Sequence, residues 1–273
     1  MKNLRIIFMG TPEFAVASLR ALLKNHLKVV AVITAPDKPA GRGQKLRQSA
    51  VKEYAQSRNL PVLQPTNLKS ENFLDELKKY KADLQVVVAF RMLPEVVWNM
   101  PILGTFNLHG SLLPQYRGSA PINHAIINGE SVTGLTTFLI DDKIDTGNIL
   151  LREEVTIFPN ENAGDLHDRL MKYGARLIIR TLSAITENSI SPQPQTNFMI
   201  PGEILRTAPK IFPEHCIVDW NNTPERIHNL IRGLSPSPTA RSAFIKENKT
   251  VSYKIFESLP ESEAHNKRAG EIS

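Results

Sequence analysis

The stretch 4–36 constrains the fold more than any other part of the chain. "LRIIFMG" at 4–10 is an apolar run closed by glycine, with the length and composition of a buried strand. Thr11-Pro12-Glu13 then supplies an N-cap, a proline at the first helical position and an acid in the first turn. Phe14, Ala15, Leu19, Leu22 and Leu23 follow at helical spacing, and "KVVAVITAP" at 28–36 is a second buried strand stopped by Pro36. A strand–helix–strand unit of this kind implies a parallel sheet with a right-handed crossover. The expected class is α/β.

The same alternation continues. Helices are expected over 49–58, 70–80 and 121–128 and within 163–187, with strands over 84–90, 104–110, 134–140 and 148–157. The long helix places Leu166, Leu170, Leu177, Ile178, Leu182 and Ile185 on one face. Residues 188–206 mix serine, proline and glutamine without periodicity, which reads as a linker. Beyond it lie a helix around 223–233 and two β-like runs at 242–246 and 250–256. The expected division is a Rossmann-like domain over 1–189, a linker over 190–206 and a small β-rich, barrel-like domain over 207–273. That last domain reads as incomplete, because "RAGEIS" opens a strand that would leave an unpaired edge.

Hydrophobic residues make up 41% and charged residues 22%, as in soluble globular chains. Cys216 is the one cysteine, so no intramolecular disulfide forms, which suits a reducing cytoplasm. No apolar run approaches the ~20 residues of a membrane span, and the N-terminal run is too short for a signal peptide. The formal charge is +6, and residues 36–52 hold Lys38, Arg42, Lys45, Arg47 and Lys52 against Asp37 alone. The excess is thus concentrated in one loop, where it favours a polyanion. "MGTPEF" after the first strand fits a crossover turn but lacks the glycines of a dinucleotide cradle. With no cysteine pair, no H-E-x-x-H and seven scattered histidines, no metal site is expected.

Asn107 and His109 lie two apart on an expected strand and so project to one face near its C-terminal end, where open α/β sheets place ligands. Asp145, in "IDDKIDTG", sits in a turn between two strands. An amide, an imidazole and a carboxylate brought together suit acyl transfer to an amine, with oxyanion stabilisation by the first two and proton handling by the third. The same residues also fit a satisfied core histidine and an ordinary Asx turn.

"FNLHGSLLPQYRGSAPI" followed by "IDTG" closely resembles the folate-dependent formyltransferases. "FMGTPEFA", "APDKPAGRGQKL", "PVLQP", "APKI", "VDW" and "IRGLSPSP" narrow the resemblance to members that act on methionyl-tRNA, over nearly the whole chain. The resemblance implies a Rossmann-like formyltransferase domain in which Asn107, His109 and Asp145 are catalytic. It implies 10-formyltetrahydrofolate as donor, the α-amine of initiator methionyl-tRNA as acceptor, a role in translation initiation, and a cytoplasmic monomer without a metal. It places the folate pterin against the backbone of Phe90, Arg91, Met92 and Leu93. Ser111, Leu112, Leu113 and Pro114 would shape the pocket, although Leu112 and Leu113 equally suit core packing. Lys38, Arg42, Lys45 and Arg47 would meet the tRNA in a mobile, extended loop. Two local features depart from the pattern: Lys143 replaces a glycine, and the stretch before "MLP" is one residue shorter. The competing readings are a formyltransferase for a small amine, a formyl-folate hydrolase, and a non-catalytic folate- or RNA-binding remnant.

Overall fold

The computed structural model describes residues 3–40, 45–246, 249–261 and 269–271. Along the chain run β1 (Arg5–Gly10), α1 (Glu13–Lys24), β2 (Lys28–Ile33), a hairpin of β3 (Lys38–Ala40) and β4 (Lys45–Arg47), α2 (Ala50–Gln56), β5 (Val62–Leu63) and α3 (Glu71–Lys79). Then come β6 (Leu84–Val88), α4 (Glu95–Trp98), β7 (Thr105–His109), β8 (Arg117–Gly118), α5 (Pro121–Ile127), β9 (Val132–Leu139), β10 (Ile149–Thr156) and α6 (Ala163–Thr186). The chain continues through β11 (Thr207–Ala208), α7 (Pro224–Leu234), β12 (Ala240–Lys246) and β13 (Lys249–Ile255).

The main sheet has the order β10-β9-β7-β6-β1-β2-β5. Its five strands from β5 to β7 pair in parallel, and β9 runs antiparallel to both β7 and β10. Strands buried on both faces explain the unbroken apolar runs. In β1, Ile6 and Phe8 join the core under α1 and α6, while Ile7 and Met9 join the core on the opposite face. The first face carries the longer helices, and the second only the short α3 and α4. The second face is therefore left partly uncovered. No helix among the described residues is long and apolar enough to cross a membrane.

The structure corrects several local expectations. Pro12, not Thr11, occupies the N-cap of α1 and no side chain caps it; the Thr11 carbonyl instead accepts from Val51 N. The basic loop is not a free extended segment but a hairpin, and its base is pinned where Asp37 accepts from Lys52 and Gln64. Those two donors, Lys52 above all, hold the Asp37 carboxyl below the usual carboxylate range. The stretch expected to be a linker also packs. Gln193 exchanges two backbone hydrogen bonds with Ile149, and Phe198 lies against Leu113, Phe138 and Ile149. Backbone pairing at a sheet edge needs no apolar periodicity, so composition alone did not reveal it.

In the C-terminal part, β12 and β13 form an antiparallel ribbon above a small core of Cys216, Val218, Ile231, Leu234 and Ala240. This part is firmly seated. Arg232, 8% exposed, donates to the Glu161 carbonyl, and Asn123 donates to the Gly233 carbonyl.

Candidate active site

The strand order reverses between β1 and β6, and the C-terminal ends of β1, β6 and β7 open side by side at that point. Along β7, Phe106 and Leu108 enter the core beneath α6. Thr105, Asn107 and His109 therefore face the thinner layer, where Thr105 Oγ1 reaches the Trp98 carbonyl at the end of α4. Farther along β7, Asn107 is half-buried with no hydrogen bond to its side chain among the described residues.

His109 is 6% exposed. Its Nε2 lies 2.9 Å from the Tyr116 carbonyl, which can only accept, so Nε2 carries the proton. The other ring nitrogen looks toward Asp145, with Nδ1 and Oδ2 3.7 Å apart. That gap is too long for a direct hydrogen bond, but it leaves the Nδ1 edge open to a third group held under the carboxylate's field. Asp145 adopts a φ of 55°, and its Oδ2 also accepts from Gly118 N at 2.9 Å. His109 and Asp145 thus approach one another, and Asn107 shares the His109 face of β7.

Several residues that hold this arrangement were not singled out in the sequence. Gln195, 5% exposed, donates through Nε2 to the carbonyls of Asp145 (2.8 Å) and Gly147 (3.0 Å). Its Oε1 accepts from Arg117 Nε and Nη2. Tyr116 donates its hydroxyl to Glu130 at 2.5 Å, and Arg206 donates to that same carboxylate. Burial, reinforced by Glu130, pushes the Tyr116 hydroxyl above its ordinary range. Gly118, at a φ of 129°, faces β11 so closely that a Cβ there would overlap the Ala208 carbonyl. A glutamine among prolines gives no periodic signal.

The expected folate-contacting residues divide. After β6, Ala89 turns the chain at a φ of 47°, and Phe90 to Leu93 make no backbone–backbone hydrogen bond among the described residues. Their side chains lead elsewhere: Arg91 donates to the carbonyls of Pro65 and Thr66, and Leu93 is core. Met92 is exposed, and Phe90 is packed beside the core. What remains at the cleft is a strip of free amides and carbonyls, suited to a flat heterocycle rich in donors and acceptors. Ser111 to Pro114 serve mainly as packing. The Ser111 hydroxyl is taken by the Gln115 carbonyl, Leu113 is fully buried with Phe138 and Ile149, Leu112 packs against Gly134, and Pro114 is buried.

Of the expected RNA-contacting residues, Lys38 and Arg47 are exposed and directly opposed across the hairpin. Lys45 lies on β4 opposite Ala40, and Arg42 falls outside the described residues.

A half-buried amide and an imidazole–carboxylate pair, at the sheet's reversal point and near a backbone strip unpaired among the described residues, have the chemistry that group transfer from a heterocyclic donor would need. Residues 3–182 match the family Formyl transferase and residues 210–273 match Formyl transferase, C-terminal domain, and the chain belongs to this family. The methionyl-tRNA formyltransferase of Flavobacterium johnsoniae is 57% identical over 100% of this chain and 85% of its own length. That of Bacteroides thetaiotaomicron is 53% identical, over 99% of this chain and 84% of its own. A sugar 3N-formyl transferase, solved in the presence of dTDP and 5-N-formyl-THF, superimposes with a TM-score of 0.67 at 27% identity, covering 95% of this chain and 87% of that one.

Proposed function

We propose that this chain transfers the formyl group of 10-formyltetrahydrofolate to the α-amine of methionine carried on initiator tRNA, in the cytoplasm, for translation initiation. The observation that carries the chemistry is the Asn107 amide, without a hydrogen bond among the described residues, on the same face of β7 as His109, whose Nδ1 is turned toward Asp145. The acceptor follows from the identity with methionyl-tRNA formyltransferases, about twice that with the sugar enzyme.

The amine nitrogen attacks the formyl carbon, a C–N bond forms, and the carbonyl electron pair moves onto oxygen. The Asn107 N–H receives that oxyanion, joined by a His109 Nδ1–H when the ring carries both protons, its Nε2–H being held by the Tyr116 carbonyl. The proton shed by the attacking ammonium passes toward Asp145. The oxyanion pair then re-forms the carbonyl, the bond to the donor nitrogen breaks, and that nitrogen takes the proton from Asp145. Phe90 to Leu93 present backbone amides and carbonyls to the pterin edge. Lys38, Lys45 and Arg47 lie along the hairpin, and with Arg42 of the same basic loop they would meet the tRNA, a polyanion that a small-amine enzyme would not need to grip.

The test is formyl transfer to initiator against elongator methionyl-tRNA. Selective transfer is expected, with Asn107→Ala lowering kcat by about two to three orders of magnitude, as for loss of one oxyanion donor. Turnover of the donor by water alone, with no formylmethionyl product, would instead establish a hydrolase.

A further inference from the structure

We infer that Gln195 is a positioning residue for the reaction, acting through Asp145, whose proposed role it presupposes, from a stretch whose composition reads as linker. The Gln195 amide makes four hydrogen bonds, and they leave one orientation only. A guanidinium can only donate, so the atom facing Arg117 is Oε1; backbone carbonyls can only accept, so the group facing Asp145 and Gly147 is the NH2. Both amide hydrogens are thereby spent on one turn, and they bracket Thr146 from the two sides.

That turn needs such a clamp. Asp145 sits at a φ of 55°, a conformation disfavoured for a residue with a Cβ. Gly147 leaves no room for a side chain against the Leu139 carbonyl. On the other side of Gln195, Arg117 belongs to β8, whose next residue, Gly118, donates to Asp145 Oδ2. One amide therefore fixes both the backbone that carries the carboxylate and the strand that orients it. The two bonds between Gln193 and Ile149 fix where Gln195 enters, and Phe198 anchors the other side.

Gln195→Glu preserves size and can keep Arg117, but it turns a carboxylate oxygen toward two carbonyl oxygens. The expected result is a fall in kcat of about one hundredfold, the usual cost of an ångström-scale misplacement, with the donor KM within about threefold of the parent. Because Gln195 acts through Asp145, adding Gln195→Glu to Asp145→Asn should cost no further activity. Gln195→Met, near-isosteric and uncharged, should lose activity in the same direction, and it provides the test if the glutamate variant folds poorly. Unchanged kcat in a folded Gln195 variant, or losses that multiply in the double variant, would overturn the inference. Full activity in Asp145→Asn alone would show instead that the reading of Asp145 is at fault.

Discussion

Replacing Gly118 by alanine gives a sharp test of how the aspartate is oriented. A Cβ at this position would lie 2.8 Å from the Ala208 carbonyl carbon and nearer still to its oxygen, whereas ordinary contact begins at 3.4 Å. These atoms are backbone on both sides, so no rotamer change relieves the overlap. β8 and β11 must part by at least 3.4 − 2.8 = 0.6 Å. If β8 takes up that movement, the 2.9 Å bond from Gly118 N to Asp145 Oδ2 lengthens to about 3.5 Å, the edge of a hydrogen bond. A hydrogen bond to a charged group contributes about 1.5–3 kcal/mol, and a non-glycine residue forced to this φ costs about 1–3 kcal/mol more. At about 2–4 °C per kcal/mol for a chain of this size class, Gly118→Ala should lower Tm by about 5–24 °C. Where the fold persists, kcat should drop about tenfold to one hundredfold, with the donor KM little changed. The assay is steady-state formyl transfer at about 25 °C beside thermal unfolding of the same sample. A lowered Tm with kcat within about threefold of the parent would refute the role given to the Gly118 amide. An unchanged Tm would refute the steric argument itself.

Tyr116→Phe removes the hydroxyl bond to Glu130 and should destabilise the protein by about 1.5–3 kcal/mol near neutral pH. Because the folded hydroxyl titrates above its ordinary 10.0, its contribution is complete below pH 10.0 and is lost as the pH rises through the folded value. The gap between parent and variant in urea unfolding should therefore close at alkaline pH, and a constant gap would refute the assignment. Replacing Lys38 and Arg47 together by alanine should weaken tRNA binding and reduce the salt slope by about two units, one for each phosphate no longer neutralised. Folate affinity should not move, and an equal fall in both affinities would contradict the separation of the two surfaces.

The sequence made the sheet legible because its strands are buried on both faces and its helices show an apolar stripe. β1, β2, β6, β9 and β10 all fall within the expected runs or one to two residues from them. Asn107 and His109 stood out for a related reason: they are polar residues two apart at the end of an apolar strand, and β7 carries them on one face. The supports of the site were hidden because they work through the backbone. His109 is held by a carbonyl, Asp145 by an amide N–H, and Gln195 binds two further carbonyls. Nothing in the identity of Tyr116, Gly118 or Asp145 specifies which main-chain atom will be used. The pairing of β8 with β11 joins segments about ninety residues apart, beyond any local pattern.

The seating of α7 has a mechanical consequence. Arg232 is anchored in the Glu161 carbonyl, Gly164 N donates to the Ser235 carbonyl, and Asn123 of α5 donates to the Gly233 carbonyl. The ribbon that follows is thus mounted on a bracket rather than hung from a hinge. Torque applied to it passes into α5, whose first turn begins just beyond Gly118, and Ala120 N is itself tied to the Ala208 carbonyl. A load on the ribbon would therefore reach the same few residues that orient the Asp145 carboxylate.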